Sequence, residues 1–182
     1  VVGVVVVDIV TRVAELAAGL HRQMSETARD PRAVQTLAWA AGLHEIGISI
    51  AHTGYHKHSA YVLAQADMPG FSQQEQDRLS RLVLAHRGKL TKLDDLPERE
   101  ADWALIFALR LAALFCLSRR DLALPAPACK SSKSGFQLAL SPAWLEEHPM
   151  TEAALENETE AWRALDVKLE VRSSPDRAAL AG

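Results

Sequence analysis

The segment Leu43-His44-Glu45-Ile46-Gly47-Ile48-Ser49-Ile50 closes an apolar helical pattern, and it is followed directly by Ala51-His52-Thr53-Gly54-Tyr55-His56-Lys57-His58-Ser59-Ala60-Tyr61. Four of the seven histidines of the chain lie between positions 44 and 58. Imidazole and carboxylate groups bind metal ions, and imidazolium and ammonium groups bind phosphate. This segment is therefore the first place to expect a functional site.

The overall composition is that of an ordinary globular protein. Of the 182 residues, 48% are hydrophobic and 24% are charged, which suffices for one domain with its own core or for a domain with a small appendage. The net charge of −3 argues against general nucleic-acid binding, although it allows a local basic pocket. Cys116 and Cys129 lie far apart, which indicates a reducing cytoplasm rather than a disulfide framework.

The apolar N-terminal run from Val1 to Val7 is too short to span a bilayer, and no basic segment precedes it as in a signal peptide. Because the chain does not begin with methionine, we expect it to be a piece of a longer protein. The run itself is compatible with a strand, or with a helix that packs against the absent part.

Apolar residues at helical spacing predict a helical bundle over residues 1–121. The predicted helices run from about Asp8 to Ala28, from an Asp30-Pro31 cap to Gly47, from Ser59 to Ala66, from a Ser72–Glu75 capping box through the apolar face Leu79, Leu82, Val83 and His86, and from Trp103 to Leu117. The last of these is apolar on almost every face, which places it at the centre of the bundle.

The pattern changes after residue 121. Residues 122–135 are rich in proline, serine and glycine, which predicts a loop or linker. Residues 136–172 then show alternating apolar positions on either side of a helical stretch from Thr151 to Trp162, which predicts a small α/β appendage. Residues 173–182 are expected to be a disordered tail. The predicted fold class is therefore mainly α, a helical bundle followed by a small α/β appendage.

His44 and Glu45 are the pair most suited to metal binding. Neighbours on a helix project about 100° apart, which is close enough for an imidazole and a carboxylate to reach one divalent ion. A buried histidine that only forms a hydrogen bond at a helix end explains the same residues. The residues alone leave these two interpretations open.

The order of these motifs resembles that of the HD superfamily of phosphohydrolases, through Arg12-Val13-Ala14, His44-Glu45-x-Gly47, His58-Ser59-Ala60, His86 and Leu109-Arg110-Leu111. The stretch from Ala38 to Pro97 resembles more closely the C-terminal half of the exopolyphosphatase/guanosine pentaphosphate phosphohydrolase (Ppx/GppA) family. The motifs concerned are Trp39-Ala40-Ala41-x-Leu43-His44-Glu45-Ile46-Gly47, His52-Thr53-Gly54, His56-Lys57-His58-Ser59-Ala60-Tyr61, Asp67-x-Pro69-Gly70-Phe71 and Lys92-Leu93-Asp94-Asp95-Leu96-Pro97.

The resemblance implies a division of labour within a longer bacterial, cytoplasmic enzyme. Members of the family carry an N-terminal actin-like region with the hydrolytic carboxylates and a magnesium ion, and this sequence contains no match to that region. The resemblance implies that the C-terminal, HD-like region binds polyphosphate and forms a homodimer. We therefore expect no catalytic residue and no cofactor in this fragment, with magnesium in the missing domain. Inorganic polyphosphate and guanosine pentaphosphate both remain open as the substrate of the parent hydrolase.

The resemblance also predicts a degenerate metal centre. The family's ligand positions fall on His44, Glu45, His58 and His86, but two further ligands are replaced by Ile9 and Leu109. Aliphatic side chains cannot coordinate a cation, and the loss of two ligands should abolish tight binding. We therefore expect no metal here, and we expect Arg110 to neutralise Glu45 if the two side chains meet.

What remains is a set of groups suited to a phosphate chain. Arginine forks onto phosphate oxygens and lysine acts as a point charge, so the predicted polyphosphate-binding residues are His56, Lys57, His58, Arg87, Lys89 and Lys92. Binding by these residues should weaken with salt and strengthen as the pH falls through about 6.5, where an unperturbed imidazole gains charge.

Three alternatives compete with this interpretation. Lys89 and Lys92 could be ordinary solvated loop charges. The chain could be an active metal-dependent HD phosphohydrolase, with the ion held by His44, Glu45, His58 and His86. Finally, the fragment could be purely an interaction and dimerisation module, in which the histidines serve packing.

Overall fold

The computed structural model of the chain describes residues 2–24, 30–93, 100–116 and 127–173. Within these ranges the elements are α1 (Val2–Met24), α2 (Pro31–Leu43), α3 (Tyr55–Gln65), α4 (Gln73–Ala85), α5 (Glu100–Cys116), β1 (Ala128–Ser132), β2 (Gly135–Leu140), α6 (Pro142–Glu147), α7 (Pro149–Arg163) and β3 (Lys168–Ser173). Short 3-10 helices at Ile46–Ser49 and Leu90–Lys92 follow α2 and α4. The predicted fold class, a mainly α bundle followed by a small α/β unit, is confirmed.

Two helix starts follow directly from capping chemistry. The Asp30 carboxylate accepts a hydrogen bond from the Arg32 amide at the start of α2, and Pro31 occupies the first turn. At the start of α4, the Ser72 hydroxyl accepts from the Glu75 amide while the Glu75 carboxylate accepts from the Ser72 amide. Both caps were predicted, and both satisfy amides that lack a partner within the helix.

Helix α5 occupies the centre of the bundle, as its apolar sequence predicts. Every residue from 104 to 112 is buried, and α5 packs against α1, α2 and α4. The N-terminal apolar run is helical, since α1 already begins at Val2. Helix α1 ends at Met24, and the remainder of the predicted span, residues 25–28, lies outside the described residues. Within the described residues, no helix combines the length and hydropathy that a membrane crossing requires.

Two predicted helix boundaries around residue 50 were wrong. Helix α2 ends at Leu43 rather than at Gly47, which lies inside a 3-10 helix. Helix α3 begins at Tyr55 rather than Ser59, because Gly54 adopts a left-handed conformation (φ 70°) that turns the chain just before it. As a result, His56, Lys57 and His58 lie in the first turn of a helix and not in a loop.

The appendage contains one strand that was not predicted. The predicted linker, residues 122–135, includes β1, which pairs antiparallel with β2, while β2 pairs parallel with β3. The sequence of β1, Ala-Cys-Lys-Ser-Ser, lacks an alternating apolar pattern. Its position is set instead by backbone pairing and by Cys129, whose amide donates to the Gln23 side chain and whose thiol donates to the Leu20 carbonyl. Residues 122–126 and 174–182 lie outside the described part of the chain.

The bundle and the appendage share one hydrophobic core. The Phe107 ring of α5 stacks on Phe136 of β2 at 4.2 Å between centroids, and the Trp162 ring of α7 meets Phe136 edge-on at 5.1 Å. The same buried cluster extends from α1 to β3. The C-terminal helix α7 is thereby brought beside α5 and the 3-10 helix at Leu90–Lys92.

Candidate functional site

The junction between α2 and α3 is an unusually close approach of two chain segments. A β-carbon at Gly47 would lie 2.3 Å from the Tyr55 carbonyl oxygen and 2.4 Å from the Ser59 nitrogen, so only glycine fits. The buried Ser59 hydroxyl donates to the His44 carbonyl at 2.8 Å and accepts from the Gly47 amide at 2.9 Å. The spacing of His44, Gly47 and Ser59 therefore has a packing cause, which is to fix the start of α3 against the end of α2.

Two buried imidazoles lie beneath this junction. The rings of His44 and His86 are nearly perpendicular with centroids 5.0 Å apart. The Nδ1 atom of His44 donates to the Ala41 carbonyl, and that of His86 donates to the Val83 carbonyl, which leaves Nε2 of neutral His86 as an acceptor. Burial, reinforced by the neighbouring His44, holds the pKa of His86 well below its usual value, so this ring is neutral at pH 7.

His44 and Glu45, the pair most suited to metal binding, lie side by side but differ in exposure, and whether an ion binds here stays a prediction. The Glu45 carboxylate is 4.0 Å from His44 Nε2 and its side chain is 41% exposed, whereas that of His44 is 5% exposed. Leu109, at one of the replaced ligand positions, is completely buried among apolar side chains. Within the described residues, no three histidine, cysteine or acidic side chains are grouped so that they could hold a metal ion.

The predicted neutralisation of Glu45 by Arg110 was wrong. The Arg110 guanidinium instead forms a two-point ion pair with Glu158 of α7, with Nε to Oε1 at 2.5 Å and Nη2 to Oε2 at 2.7 Å. Both side chains are almost entirely buried. A charge buried in an apolar helix requires a partner, and Arg110 takes one from the helix that packs beside it rather than from the 44–47 turn.

A cationic cluster lies at the end of α4, where its loop meets the first turn of α3. We use this term for His56, Lys57, Arg87 and Lys92. A β-carbon added to Gly88 would lie 3.5 Å from both His56 Nε2 and Lys92 Nζ, so these two groups converge on the open side of that glycine. Gly88 has a φ of 76°, a left-handed conformation that turns the chain between Arg87 and Lys92.

Arg87 is held at the edge of the cluster by Tyr55. The guanidinium lies over the Tyr55 ring at 5.5 Å, and Nη1 donates to the Tyr55 hydroxyl at 3.4 Å. The Tyr55 hydroxyl in turn is 3.4 Å from His86 Nε2, the atom left as an acceptor. Sequence reasoning assigned no role to Tyr55, and the signal available for it was its position one residue before His56.

Two side chains of the cluster, Lys92 and His56, have pKa values well below their ordinary ones. Burial, then the charges of Arg110 and Lys57, lowers the pKa of Lys92 to about 7, and its ammonium donates to the Arg87 carbonyl. Burial, then Lys92, Lys57, Arg87 and Arg110, lowers the pKa of His56 to about 4. The expectation that His56 would gain charge near pH 6.5 was therefore wrong, because its neighbours already carry the positive charge. Within the cluster, it is Lys92 whose pKa lies near neutrality.

The structure does not place all six residues predicted to bind polyphosphate close to one another. His56, Arg87 and Lys92 meet around Gly88, and Lys57 is exposed but close enough for its charge to act on His56 and Lys92. His58 is half-buried with its β-carbon against Gly47, and Lys89 is exposed. Neither takes part in the hydrogen bonds or ring contacts of the cluster among the described residues, and whether they bind phosphate stays a prediction.

Comparison with known proteins gives the family. The model of the family described as Ppx/GppA phosphatase, domain III, matches residues 5–159. The guanosine-5'-triphosphate,3'-diphosphate pyrophosphatase of Pseudoalteromonas translucida is 33% identical over 164 residues, which cover 87% of this chain and 33% of that protein. The protein of the same name from Pseudoalteromonas atlantica is 34% identical over 155 residues, 81% of this chain and 30% of that protein. The chain spans about a third of the length of these relatives. It belongs to the Ppx/GppA phosphatase family, in which it corresponds to domain III.

Proposed function

We propose that this chain is a non-catalytic, phosphate-chain-binding region of a Ppx/GppA phosphatase. The cationic cluster would bind the phosphate groups of inorganic polyphosphate or of guanosine pentaphosphate, while hydrolysis takes place on a magnesium-containing N-terminal domain outside this sequence. The names of the two relatives favour guanosine 5'-triphosphate 3'-diphosphate as the substrate of the parent enzyme. Inorganic polyphosphate is the second candidate.

The observation that carries the proposal is the convergence of positively charged side chains from the first turn of α3 and from the loop after α4. In the described part of the chain, none of Lys57, Arg87 and Lys92 forms an ion pair. Burial, and then the repulsion between neighbouring positive charges, lowers the pKa of Lys92 and of His56. An arrangement that costs free energy when empty is explained if a polyanion binds there and relieves the repulsion.

The division of roles follows from the chemistry of each group. Arg87, oriented by Tyr55, offers a planar fork that matches two phosphate oxygens. Lys57 is exposed and adds a point charge, while neutral His56 adds a hydrogen-bond donor. Lys92, half-buried beside Gly88, becomes an ammonium once a phosphate approaches. These groups bind and orient a phosphate chain, but none of them is placed to activate a water molecule against it.

Removing the charges of the cluster should weaken binding. In calorimetric titrations with tripolyphosphate at low salt, we expect Lys57→Ala and Arg87→Ala each to reduce affinity by about tenfold to a hundredfold, the range for one charge-assisted hydrogen bond. Lys133→Ala is the matched control, because Lys133 is equally exposed but lies in the β1–β2 turn. Equal losses in all three variants, or none in Arg87→Ala, would contradict the proposal.

Binding should also depend on pH through Lys92. Its pKa of about 7 in the free protein means that it is mostly neutral at pH 8 and mostly charged at pH 6. Because an anion prefers the charged form, affinity for tripolyphosphate should rise as the pH falls through about 7, with uptake of a proton on binding. Tripolyphosphate itself gains protons on acidification, so Lys92→Met supplies the reference curve. If wild type and Lys92→Met give parallel curves, Lys92 is not the titrating group.

Dimerisation stays a prediction that rests on the family resemblance. Large apolar side chains are available for such a contact, since Ile50 is 57%, Tyr61 67% and Met150 83% exposed. Their exposure fits equally well with contact to the rest of a longer parent protein. Sedimentation equilibrium of the isolated chain distinguishes the two, because only self-association makes the apparent mass depend on concentration.

A further inference from the structure

Two backbone carbonyls at the end of α4 and in the loop that follows accept hydrogen bonds from one buried side chain, Arg110 of α5. Besides its ion pair with Glu158, the guanidinium donates from Nη1 to the Ala85 carbonyl at 2.5 Å and from Nη2 to the Gly88 carbonyl at 3.1 Å. These two carbonyls lie on either side of Arg87. A single planar group therefore fixes both ends of the segment that presents the Arg87 side chain.

Glu158 is in turn held in place from within α7. The Trp162 indole, one turn further along α7, donates from Nε1 to Glu158 Oε1 at 2.7 Å, and the Trp162 ring is completely buried against Phe107 and Phe136. The carboxylate thus accepts from the guanidinium on both oxygens and from the indole on one. With all its partners supplied, the carboxylate has no freedom to rotate away from Arg110.

We propose that Arg110 and Glu158 are positioning residues for the cationic cluster. They connect the segment between Ala85 and Lys92 to helices α5 and α7, and they thereby hold Arg87 and Lys92 in the arrangement that faces His56. Phosphate binding then depends on the C-terminal appendage. This inference rests on the proposed function of the cluster. The appendage then has a role beyond completing the hydrophobic core.

The positive charge of Arg110 supports this role in addition to the hydrogen bonds that Arg110 donates. The positive charge of Arg110 contributes to lowering the pKa of both His56 and Lys92, and the Glu158 carboxylate partly balances that charge. Among the described residues, the charged and titratable groups near Lys92 are His56 and Lys57 from α3, His86 and Arg87 from the end of α4 and its loop, and Arg110 from α5, with Glu158 behind Arg110 on α7. The pKa of Lys92 therefore reports whether the loop remains in place, and it can be measured without any ligand.

The test uses Glu158→Gln, with Glu156→Gln as control, because Glu156 lies on the same helix but is exposed. In Glu158→Gln we expect about tenfold weaker binding of tripolyphosphate. We also expect the pKa of Lys92, followed by NMR in the free protein, to rise from about 7 toward the ordinary lysine value, because burial is the largest cause of its depression and solvation of the released loop outweighs the loss of the Glu158 charge that partly balances Arg110. Glu156→Gln should leave both quantities as in wild type.

A second variant keeps the inference testable if Glu158→Gln does not fold. Trp162→Phe keeps every charge and removes the indole donor to Glu158 together with part of a buried ring, so it should move both quantities in the same direction by a smaller amount. A folded Glu158→Gln or Trp162→Phe protein with the affinity and Lys92 pKa of wild type would overturn the inference. If wild type itself fails to bind tripolyphosphate, the proposed function fails, while the Lys92 pKa still decides whether Arg110 and Glu158 position the loop.

Discussion

Replacing Gly47 by alanine is expected to destabilise the chain by at least about 3 kcal/mol, which is at the upper end for a single overpacked position. The added β-carbon would stand 2.3 Å from the Tyr55 carbonyl oxygen and 2.4 Å from the Ser59 nitrogen. Both are backbone atoms of α3, so no side-chain rotation can make room. The start of α3 must separate from the 44–47 turn, which breaks both hydrogen bonds of the Ser59 hydroxyl.

The matched control for this substitution lies five residues away. Gly42→Ala adds the same methyl group inside α2, where nothing lies within 4 Å of the new β-carbon. There it should stabilise the helix by about 0.5–1 kcal/mol, the usual advantage of alanine over glycine. Urea unfolding monitored by circular dichroism measures both changes. An unchanged midpoint for Gly47→Ala would show that α3 does not approach the turn as closely as described.

Breaking the Arg110–Glu158 pair should have the second large effect. Arg110→Met leaves the Glu158 carboxylate buried without its counter-ion, and loss of one partner of a buried pair costs about 3–5 kcal/mol. The double variant Arg110→Met, Glu158→Gln removes the orphaned charge and retains an oxygen that can accept from the Trp162 indole. We expect it to regain about half of the lost stability or more, since an uncharged pair of similar size often costs little.

A double-mutant cycle from denaturant unfolding gives the coupling energy of the two residues directly. A large favourable coupling is the expected result. Recovery will be incomplete, because the Ala85 and Gly88 carbonyls lose their donor whichever residue replaces Arg110. If the double variant loses as much free energy of unfolding as the two single variants together, Arg110 and Glu158 are not paired.

Much of the bundle was predictable because its signals are local. The Asp30-Pro31 cap, the Ser72–Glu75 capping box and the apolar run of α5 each lie within one helix, and each fixes an element regardless of what packs on it. The alternation of Phe136, Leu138 and Leu140 identifies β2 in the same way. By contrast, β1 is polar and short, so that its existence depends on pairing with β2, which the sequence of β1 does not encode.

The site was only partly predictable because its decisive contacts are long-range. Arg110 and Glu158 are 48 positions apart, and the turn of the chain at Gly88 determines that Lys92 rather than Lys89 meets His56. One signal for the ion pair was nevertheless present in the sequence. Glu158 shares the apolar face of α7 with Leu155 and Trp162, and a carboxylate on a buried face requires a cation, which the apolar helix around Arg110 offers.

The protonation of His56 could not be read from the sequence either. An unperturbed imidazole titrates near pH 6.5, but burial, together with four cationic side chains brought close by folding, lowers the pKa of this one to about 4. The same crowding moves a lysine into the range where histidine would be expected to titrate. A pH response near neutrality is therefore still expected, although it comes from a different residue.

The central claim is that a phosphate chain binds at the cationic cluster, and a crystal structure of this chain grown with tripolyphosphate tests it most directly. The account predicts phosphate oxygens at about 3 Å from the Arg87 guanidinium and the Lys92 ammonium, on the side of Gly88 that faces His56. A phosphate chain bound elsewhere on the molecule, with Arg87 and Lys92 in contact with solvent alone, would contradict it.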